Sequence, residues 1–358
     1  DYLQGSRVQI ALLVGSTKAA ERQDVLERLA AGQIDLVIGT HALLSEGVRF
    51  GRLGLVVIDE QHKFGVRQRS SIRSKGFAPH YLVMTATPIP RTLALTVFGD
   101  LDVSTIDALP PGRGRTLTRI AAQREMGEVV EAVASLVAGG KQAYFIYPLV
   151  NASDKLDLTA AQDACEQLRA GPLGKFGVGL VHGQMPAAEK EAAMRDFHQG
   201  RTKVLAASVV VEVGVDVPAA NVMVVMHAER FGLAQLHQLR GRIGRARDDA
   251  VCILVASPGN PDARRRLEVL EQTTDGFKIA EEDLRLRGPG EMFGTRQHGL
   301  PELKVADLIE DMDLLRLARQ DAGTILAEDP PLTAPHNQQL RREILRTYAG
   351  KLDLLGGA

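Results

Sequence analysis

Short apolar runs alternate with helical patterns through most of the chain. In the N-terminal part, four such runs predict buried strands at Gln9–Val14, Asp35–Ile38, Leu55–Ile58 and Tyr81–Met84. The apolar spacing of Ala19–Ala31 predicts a helix that ends at Gly32. Alternation of strands and helices predicts α/β units with parallel sheets, in which ligands bind at the carboxyl ends of the strands.

The same alternation restarts after a break at Leu109–Gly114, where two prolines and two glycines predict a linker. Further strands are predicted at Gln142–Tyr147, Val178–Val181, Lys203–Ala207, Val222–Met226 and Val251–Val255, with helices at Ala187–His198 and Leu233–Arg240. Beyond Ser257 the patterns are mostly helical, apart from a glycine-rich stretch at Arg287–Gly299. We therefore expect domains over 1–113 and 114–257, followed by a helical extension over 258–358.

Composition narrows the function classes only slightly. The chain has 43 basic and 44 acidic side chains, so its net charge gives no indication of a nucleic-acid partner. No apolar run approaches the length of a membrane span, and we expect a cytoplasmic protein without a membrane partner. The two cysteines, Cys165 and Cys252, form no CxxC pair, which favours buried free thiols in a reducing compartment.

An acidic pair, Asp59 and Glu60, follows the predicted strand Leu55–Ile58. Phosphoryl transfer needs a carboxylate that holds Mg²⁺, directly or through water, and a group that orients the attacking water. Asp59 and Glu60 could divide these tasks. Taken alone, the pair is also typical of a solvated turn at a strand end.

A second cluster, Thr85-Ala86-Thr87-Pro88, follows the strand Tyr81–Met84. Hydroxyl groups at this position could contact the carboxylates of the neighbouring strand and report the nucleotide state to other surfaces. The alternative is a capped helix start, with Thr87 as the N-cap and Pro88 at the first helical position. Both interpretations can hold together.

In the segment Gln238–Arg245, two arginines that lie three residues apart, Arg242 and Arg245, are spaced by glycines. Glycine lets the backbone approach a phosphate chain, and guanidinium groups can stabilise the charge on a transferring phosphoryl group. The alternative is a generic basic patch.

Three smaller motifs follow predicted strands. The loop Glu212–Pro218 includes Gly214 and Asp216, Thr40-His41 follows a strand of the first domain, and His182 follows a strand of the second. Each could line a cleft for nucleotide or nucleic acid. Each is also compatible with a purely structural role.

The order of these motifs is that of superfamily 2 helicases, and the chain resembles the RecG family of bacterial ATP-dependent DNA helicases. The most specific stretches are Asp59–Arg69, Met84–Arg91, Glu229–Arg245 and Asp283–Gly299. The resemblance implies two RecA-like parallel-sheet domains, the first incomplete, and a mainly helical C-terminal extension. It implies ATP hydrolysis in a cleft between the two domains, coupled to movement on branched DNA such as replication forks and Holliday junctions.

The resemblance also implies individual roles. Asp59 would act on the Mg²⁺ shell and Glu60 on the attacking water, while Thr85 and Thr87 would couple ATP hydrolysis to movement. Residues implied to contact the nucleotide are Gln238, Arg242, Arg245, Gly214 and Asp216. Residues implied to contact DNA or couple to it are Thr40, His41, His182, Arg287 and Gln297, the last two in a translocation motif at Arg285–Gly299. Expected partners are branched double-stranded DNA and, as a candidate, single-strand binding protein, with the helicase acting as a monomer.

The chain departs from the family pattern in a few places. His298 replaces the usual Ser, Ser208 and Val209 replace two threonines, and Lys63 replaces an Arg. The phosphate-binding pattern GxxxxGK[ST] is absent from the sequence, and RecG-like proteins carry it, with a wedge domain, upstream of the segment that this chain resembles. We therefore expect the chain alone neither to hold ATP usefully nor to unwind DNA. Alternatives are a transcription-repair coupling translocase, which shares part of the motifs, and a catalytically inactive DNA-binding module.

Overall fold

The computed structural model divides the chain into two compact units, residues 1–86 with 335–358 and residues 87–334. The residues that the structure describes are 3, 5–45, 47–60, 79–85, 103–106, 108, 112, 114–148, 155–208, 217–245, 248–257, 259, 261–287 and 311–348.

The first unit contains two pairs of parallel strands. Strand β1 (Ile10–Leu13) pairs with β2 (Leu36–Gly39), and β3 (Leu55–Ile58) pairs with β4 (His80–Val83). Helix α1 (Ala19–Ala30) connects β1 to β2. It packs against β1 through a small core that contains Leu13, Val25, Leu29 and Val48. These parallel pairs agree with the strands predicted from the apolar runs.

Helix α1 ends as the sequence predicts. Gly32 adopts φ 68°, a left-handed conformation that costs glycine little. Its N–H donates to the Leu29 carbonyl, and the Gln33 N–H donates to the Arg28 carbonyl at 2.9 Å. These two bonds form a Schellman motif, which satisfies carbonyls at the helix end and directs the chain into β2.

The second unit contains a six-stranded sheet in which all paired strands are parallel. In chain order its strands are β5 (Thr116–Ala122), β6 (Gln142–Tyr147), β7 (Val178–Val181), β8 (Val204–Ser208), β9 (Ala220–Met226) and β10 (Ala250–Ala256). They lie in the order β5-β10-β9-β6-β8-β7 across the sheet. The sequence predicted β6 and β7 with their observed bounds and the others to within a few residues, apart from β5.

Both faces of this sheet are covered by helices. Tyr144 and Ile146 of β6 belong to one core cluster, and Ala143 and Phe145 to the other. The helices are α2 (Met126–Ala138), α3 (Lys155–Ala170), α4 (Ala187–His198), α5 (Leu233–Arg240), α6 (Pro261–Gln272) and α7 (Gly276–Arg287). Helices α2 and α3 contribute to the Phe145 cluster, and α4 to α7 contribute to the Tyr144 cluster. Burial on both faces explains why the central strands are largely apolar, with buried polar residues only near their ends, at Gln142, Ser208 and Asn221.

Strand β5 lies at one edge of the sheet and was not predicted from the sequence. Its first four residues include the polar Thr116, Thr118 and Arg119, so no continuous apolar run marks the strand. The Ile120 N–H donates to the Glu271 carboxylate at 3.1 Å, which satisfies a main-chain donor at this edge.

Two further helices, α8 (Met312–Glu328) and α9 (Gln338–Tyr348), follow towards the C-terminus. Helix α9 belongs to the first unit and α8 to the second. Within the described ranges, no helix has both the length and the apolar character needed to cross a bilayer. Cys165 and Cys252 are both buried and form no disulfide, as predicted.

Candidate functional site

The acidic pair lies at the carboxyl end of β3. Asp59 is exposed and Glu60 is half-buried. The Glu60 N–H donates to Asp59 Oδ1 at 2.9 Å, and Glu60 has φ 53°. A left-handed conformation is uncommon outside glycine and is concentrated at functional sites. It ends the extended strand directly after Asp59.

Thr85 follows the neighbouring strand β4. Ile58 pairs with Val83, and the Met84 N–H extends the ladder by donating to the Ile58 carbonyl at 2.8 Å. Because this register continues past both strands, Thr85 and the acidic pair lie at the same edge of the β3–β4 sheet. The structure thus brings together two of the predicted motifs.

Thr40 and His41 lie at the carboxyl end of β2, and both are exposed. The Thr40 N–H donates to the Leu13 carbonyl at 3.4 Å, and His41 opens a short 3₁₀ helix that ends at Leu44. A Cβ atom on Gly39 would lie 2.2 Å from the Leu13 carbonyl oxygen, so only glycine fits where the chain turns towards these residues.

The arginine motif lies in the second unit, on α5 and the loop that follows it. Gln238 and Arg242 are half-buried, and Arg245 is exposed. The Arg242 N–H donates to the Leu239 carbonyl at 2.9 Å, and Arg245 Nε donates to the Gly241 carbonyl at 3.4 Å. The loop therefore continues α5 by one tight turn before the chain leaves the helix axis. We call residues 241–245 the arginine loop.

Two residues fix the arginine loop to the sheet. Ile243 is fully buried in the core. Gly244 has φ 65°, and a Cβ atom there would lie 3.0 Å from Ala250 Cβ and 3.1 Å from Thr116 Oγ1. The loop thus passes against β10 and β5 with no room for a side chain at Gly244, between a half-buried and an exposed arginine.

Arg240 is a third arginine of this motif, and no role was predicted for it from the sequence. It is 4% exposed and contacts Thr118, Leu270, Thr273 and His237. A signal was present in the sequence, since Arg240 falls on the helical face that carries the buried Leu233 and Leu236. An arginine at that spacing indicates a buried guanidinium rather than a solvent-facing one.

His182 lies at the carboxyl edge of the six-stranded sheet. It follows Val181, which pairs with Ala207 of β8, and Ser208 ends β8 opposite Tyr147 of β6. His182 Nδ1 and Ser208 Oγ are both buried, and neither has a hydrogen-bond partner among the residues that the structure describes. Buried polar atoms are usually satisfied, so two at neighbouring strand ends are unusual.

Burial lowers the pKa of His182, and the charge of Lys190 lowers it further, although Glu189 opposes both. Lys190 Nζ donates to the Gly183 carbonyl at 2.6 Å, which holds the ammonium near the imidazole. The neutral form of His182 is therefore favoured.

Several predicted site residues lie outside the described part of the chain: Thr87, Gly214, Asp216 and Gln297, together with Lys63, Val209 and His298. Arg287 is the last residue of α7, but its side chain is not described. The acidic pair belongs to the first unit and the arginine loop to the second.

The donor set of the first unit fits Mg²⁺ only as a partial site. Within the described ranges, no group of three or more His, Cys, Asp or Glu side chains could hold a metal. Mg²⁺ usually keeps several waters and binds one or two carboxylates together with substrate phosphates. An exposed carboxylate at a strand end, such as Asp59, is compatible with that mode of binding.

Comparison with known protein families assigns most of the chain. Residues 2–96 match the DEAD/DEAH box helicase family, and residues 128–247 match the helicase conserved C-terminal domain. Residues 273–350 match the C-terminal part of domain 3 of the ATP-dependent DNA helicase RecG.

Individual relatives point to the same family as these matches. The ATP-dependent DNA helicase RecG of Synechocystis is 51% identical over 97% of this chain and 41% of its own length. RecG of Bacillus subtilis is 48% identical over 95% of this chain and 50% of its own length. The chain therefore spans about half the length, or less, of these relatives.

A solved structure of RecG bound to a three-way DNA junction is similar in fold. It has a TM-score of 0.65 and 45% identity, over 88% of this chain and 40% of that one. This likeness confirms the predicted α/β class with RecA-like sheets. From its family matches, its identity to these relatives and this fold, the chain belongs to the RecG family.

Proposed function

We propose that the gene product carrying this chain is an ATP-dependent DNA translocase that remodels branched DNA in recombination and repair. The observation that carries the proposal is the sequence identity of 51% and 48%, over nearly the whole chain, to two proteins named ATP-dependent DNA helicase RecG. The acidic pair and both motif arginines are present within that segment. The three-way junction bound by the related RecG structure supports branched DNA as the substrate.

The acids and arginines are assigned to one reaction because phosphoryl transfer needs both. Asp59 would hold Mg²⁺, directly or through water, and Glu60 would orient the attacking water. The metal would neutralise charge on the phosphates. Arg242 and Arg245 would stabilise the charge that develops on the transferring group, and Gln238 would contact the nucleotide. The exposure of Asp59 and Arg245 supports these roles, because both can be reached by a ligand.

Contacts to DNA or nucleotide are proposed for the strand ends that carry His182, Thr40 and His41. The buried and unsatisfied atoms His182 Nδ1 and Ser208 Oγ support this, since a bound ligand could supply partners that the described residues do not. In neutral His182, Nδ1 would either accept or donate a hydrogen bond, depending on the tautomer.

The decisive measurement is ATP hydrolysis by the complete gene product on a synthetic three-way junction, a linear duplex and no DNA. We expect junction DNA to stimulate hydrolysis most strongly and Glu60→Gln to remove the stimulation. Equal rates with and without DNA would contradict the proposal. The isolated chain, which lacks the GxxxxGK[ST] pattern, should bind ATP much more weakly than the complete gene product, and micromolar affinity would contradict that part.

A transcription-repair coupling translocase is the same-class alternative. The match of residues 273–350 to the RecG domain 3 family favours the branched-DNA helicase over it. The retained acids and arginines likewise argue against an inactive DNA-binding module.

A further inference from the structure

Arg240 is buried at the C-terminal end of α5, two residues before Arg242. Its side chain shares the inner face of the helix with Leu233 and Leu236. Burying a guanidinium is costly unless its donors find acceptors, so its partners show what the burial achieves.

The guanidinium joins three elements of the second unit. Nη1 donates to the Leu270 carbonyl at 2.7 Å, to the Thr273 carbonyl at 2.9 Å and to Thr118 Oγ1 at 3.3 Å. Nη2 lies 3.3 Å from His237 Nδ1. Leu270 is in the last turn of α6, Thr273 directly follows that helix, and Thr118 is on strand β5. One side chain therefore ties α5 to α6 and to the sheet.

The two carbonyls explain why a cation is placed here. The last carbonyls of a helix have no partner within it, and they form the negative end of its dipole. Arg240 caps the C-terminal end of α6 from another helix. Burial lowers the pKa of Arg240, but arginine stays protonated in proteins, so the cap remains charged.

The arginine loop is attached directly to this anchor. The Ile243 N–H donates to the Arg240 carbonyl at 3.3 Å, and the Arg242 N–H donates to the Leu239 carbonyl. Helix α5 also packs against both α6 and α7. Leu270 of α6 and Ile279 of α7 belong to the same core cluster as Leu236 of α5. A displacement of the Arg240 guanidinium would therefore move the start of the arginine loop relative to these helices.

We propose that Arg240 is a positioning residue that anchors the arginine loop to the C-terminal end of α6. Arg242 and Arg245 are thereby held at a fixed position relative to the α6–α7 helix pair. The role in catalysis rests on the proposed function. The role in positioning is a property of the fold and can be measured without ATP.

The test compares Arg240→Lys, Thr118→Val and Arg264→Lys in the complete gene product. A lysine keeps the charge and can still reach a carbonyl, but it has a single nitrogen, so it cannot occupy both the Nη1 position that meets the two carbonyls and the Nη2 position that meets His237. Thr118→Val removes one acceptor with little change in volume. Arg264 is an exposed arginine on α6 that pairs with Glu268, so its lysine variant is the matched control.

The first readout is amide hydrogen exchange without nucleotide. We expect Arg240→Lys to speed exchange in residues 241–245 and in α6 and α7 together, while α2, on the opposite face of the sheet, stays unchanged. Thr118→Val should give a smaller change in the same segments. Unchanged exchange in the arginine loop of Arg240→Lys would overturn the proposal, whatever the protein does with ATP.

The second readout is steady-state ATP hydrolysis with DNA. A misplaced arginine loop should lower kcat by roughly tenfold to a hundredfold, with KM for ATP within about twofold. A loss of kcat no larger than the loss of folded protein, measured by thermal unfolding, would indicate a structural role only and would contradict positioning. If the unsubstituted protein shows no DNA-dependent hydrolysis, the proposed function fails, and hydrogen exchange alone decides the role of Arg240.

Discussion

The backbone N–H of Glu60 donates a 2.9 Å hydrogen bond to the side chain of Asp59, its neighbour at the end of β3. The bond uses the main chain of Glu60, so a change of the Glu60 side chain leaves the donor to Asp59 in place. The left-handed backbone of Glu60 lies two residues beyond the last residue of β3. This arrangement allows the two carboxylates to be tested separately.

Glu60→Gln should abolish most of the DNA-stimulated ATP hydrolysis of the complete gene product. The amide cannot accept a proton from the attacking water, and loss of such a group costs about a hundredfold or more in rate. ATP binding should persist because Asp59 and its hydrogen bond remain. The measurement is kcat together with nucleotide affinity. Glu21→Gln, an exposed acid in the first turn of α1, is the control, and equal rates for Glu60→Gln and the unsubstituted protein would remove Glu60 from the mechanism.

Arg245→Ala should leave folding and ATP binding largely intact but slow turnover by about a thousandfold, as loss of an arginine finger does. Arg245 is exposed, so its removal costs little packing. The checks are single-turnover hydrolysis and thermal unfolding. Arg195→Ala, at an exposed position of α4, should keep normal turnover. A rate for Arg245→Ala within a few-fold of normal would show that Arg245 does not stabilise the transferring group.

The parts of this fold that could be predicted from the sequence are those in which burial of apolar side chains dominates. Strands buried on both faces, such as Gln142–Tyr147, form nearly continuous apolar runs, and the bounds of this strand could be predicted directly from its run. Edge strand β5 has an exposed Leu117 and an exposed Arg119, so its pattern carries no such signal. It is a strand because β10 pairs with it.

The candidate site likewise contains residues that could be predicted from the sequence and one that could not. The acidic pair and the two glycine-flanked arginines could be proposed from the sequence as candidates, because phosphoryl transfer needs those residue types at a strand end and in a loop that approaches phosphates closely. Arg240 was missed because its function depends on carbonyls of α6, 30 residues away in sequence. Main-chain acceptors leave no trace in side-chain identity, so such contacts can be found only in the structure.

Gly244→Ala should destabilise the chain by about 1–3 kcal/mol. The alanine would adopt φ 65°, and its Cβ would lie 3.0 Å from Ala250 and 3.1 Å from Thr116. The matched control is Gly127→Ala on α2, where a Cβ meets nothing within 4 Å. That change should stabilise by about 0.4–1 kcal/mol because it restricts the unfolded chain. The measurement is the denaturant midpoint, and equal effects of the two substitutions would contradict the close approach at Gly244.

His182 should make the chain less stable as the pH falls. Burial, and then the charge of Lys190, lower its pKa in the folded chain, whereas an unfolded histidine titrates near about 6.5. Between the lowered value and about 6.5 the unfolded state binds more protons, so the free energy of unfolding decreases as the pH falls through that window. His182→Gln should flatten the dependence, measured as the change in denaturant midpoint between about pH 7.5 and about pH 5.5.

Lys190→Met separates the two causes. Removing the ammonium should raise the pKa of His182 towards its ordinary value and flatten the pH dependence in part, because burial remains the larger cause. In the His182→Gln background the same substitution should leave the pH dependence unchanged, since the titrating imidazole is gone. An equal effect of Lys190→Met with and without His182 would show that Lys190 acts on another group. In that case the interaction between Lys190 and His182 at the carboxyl edge of the sheet would not influence stability.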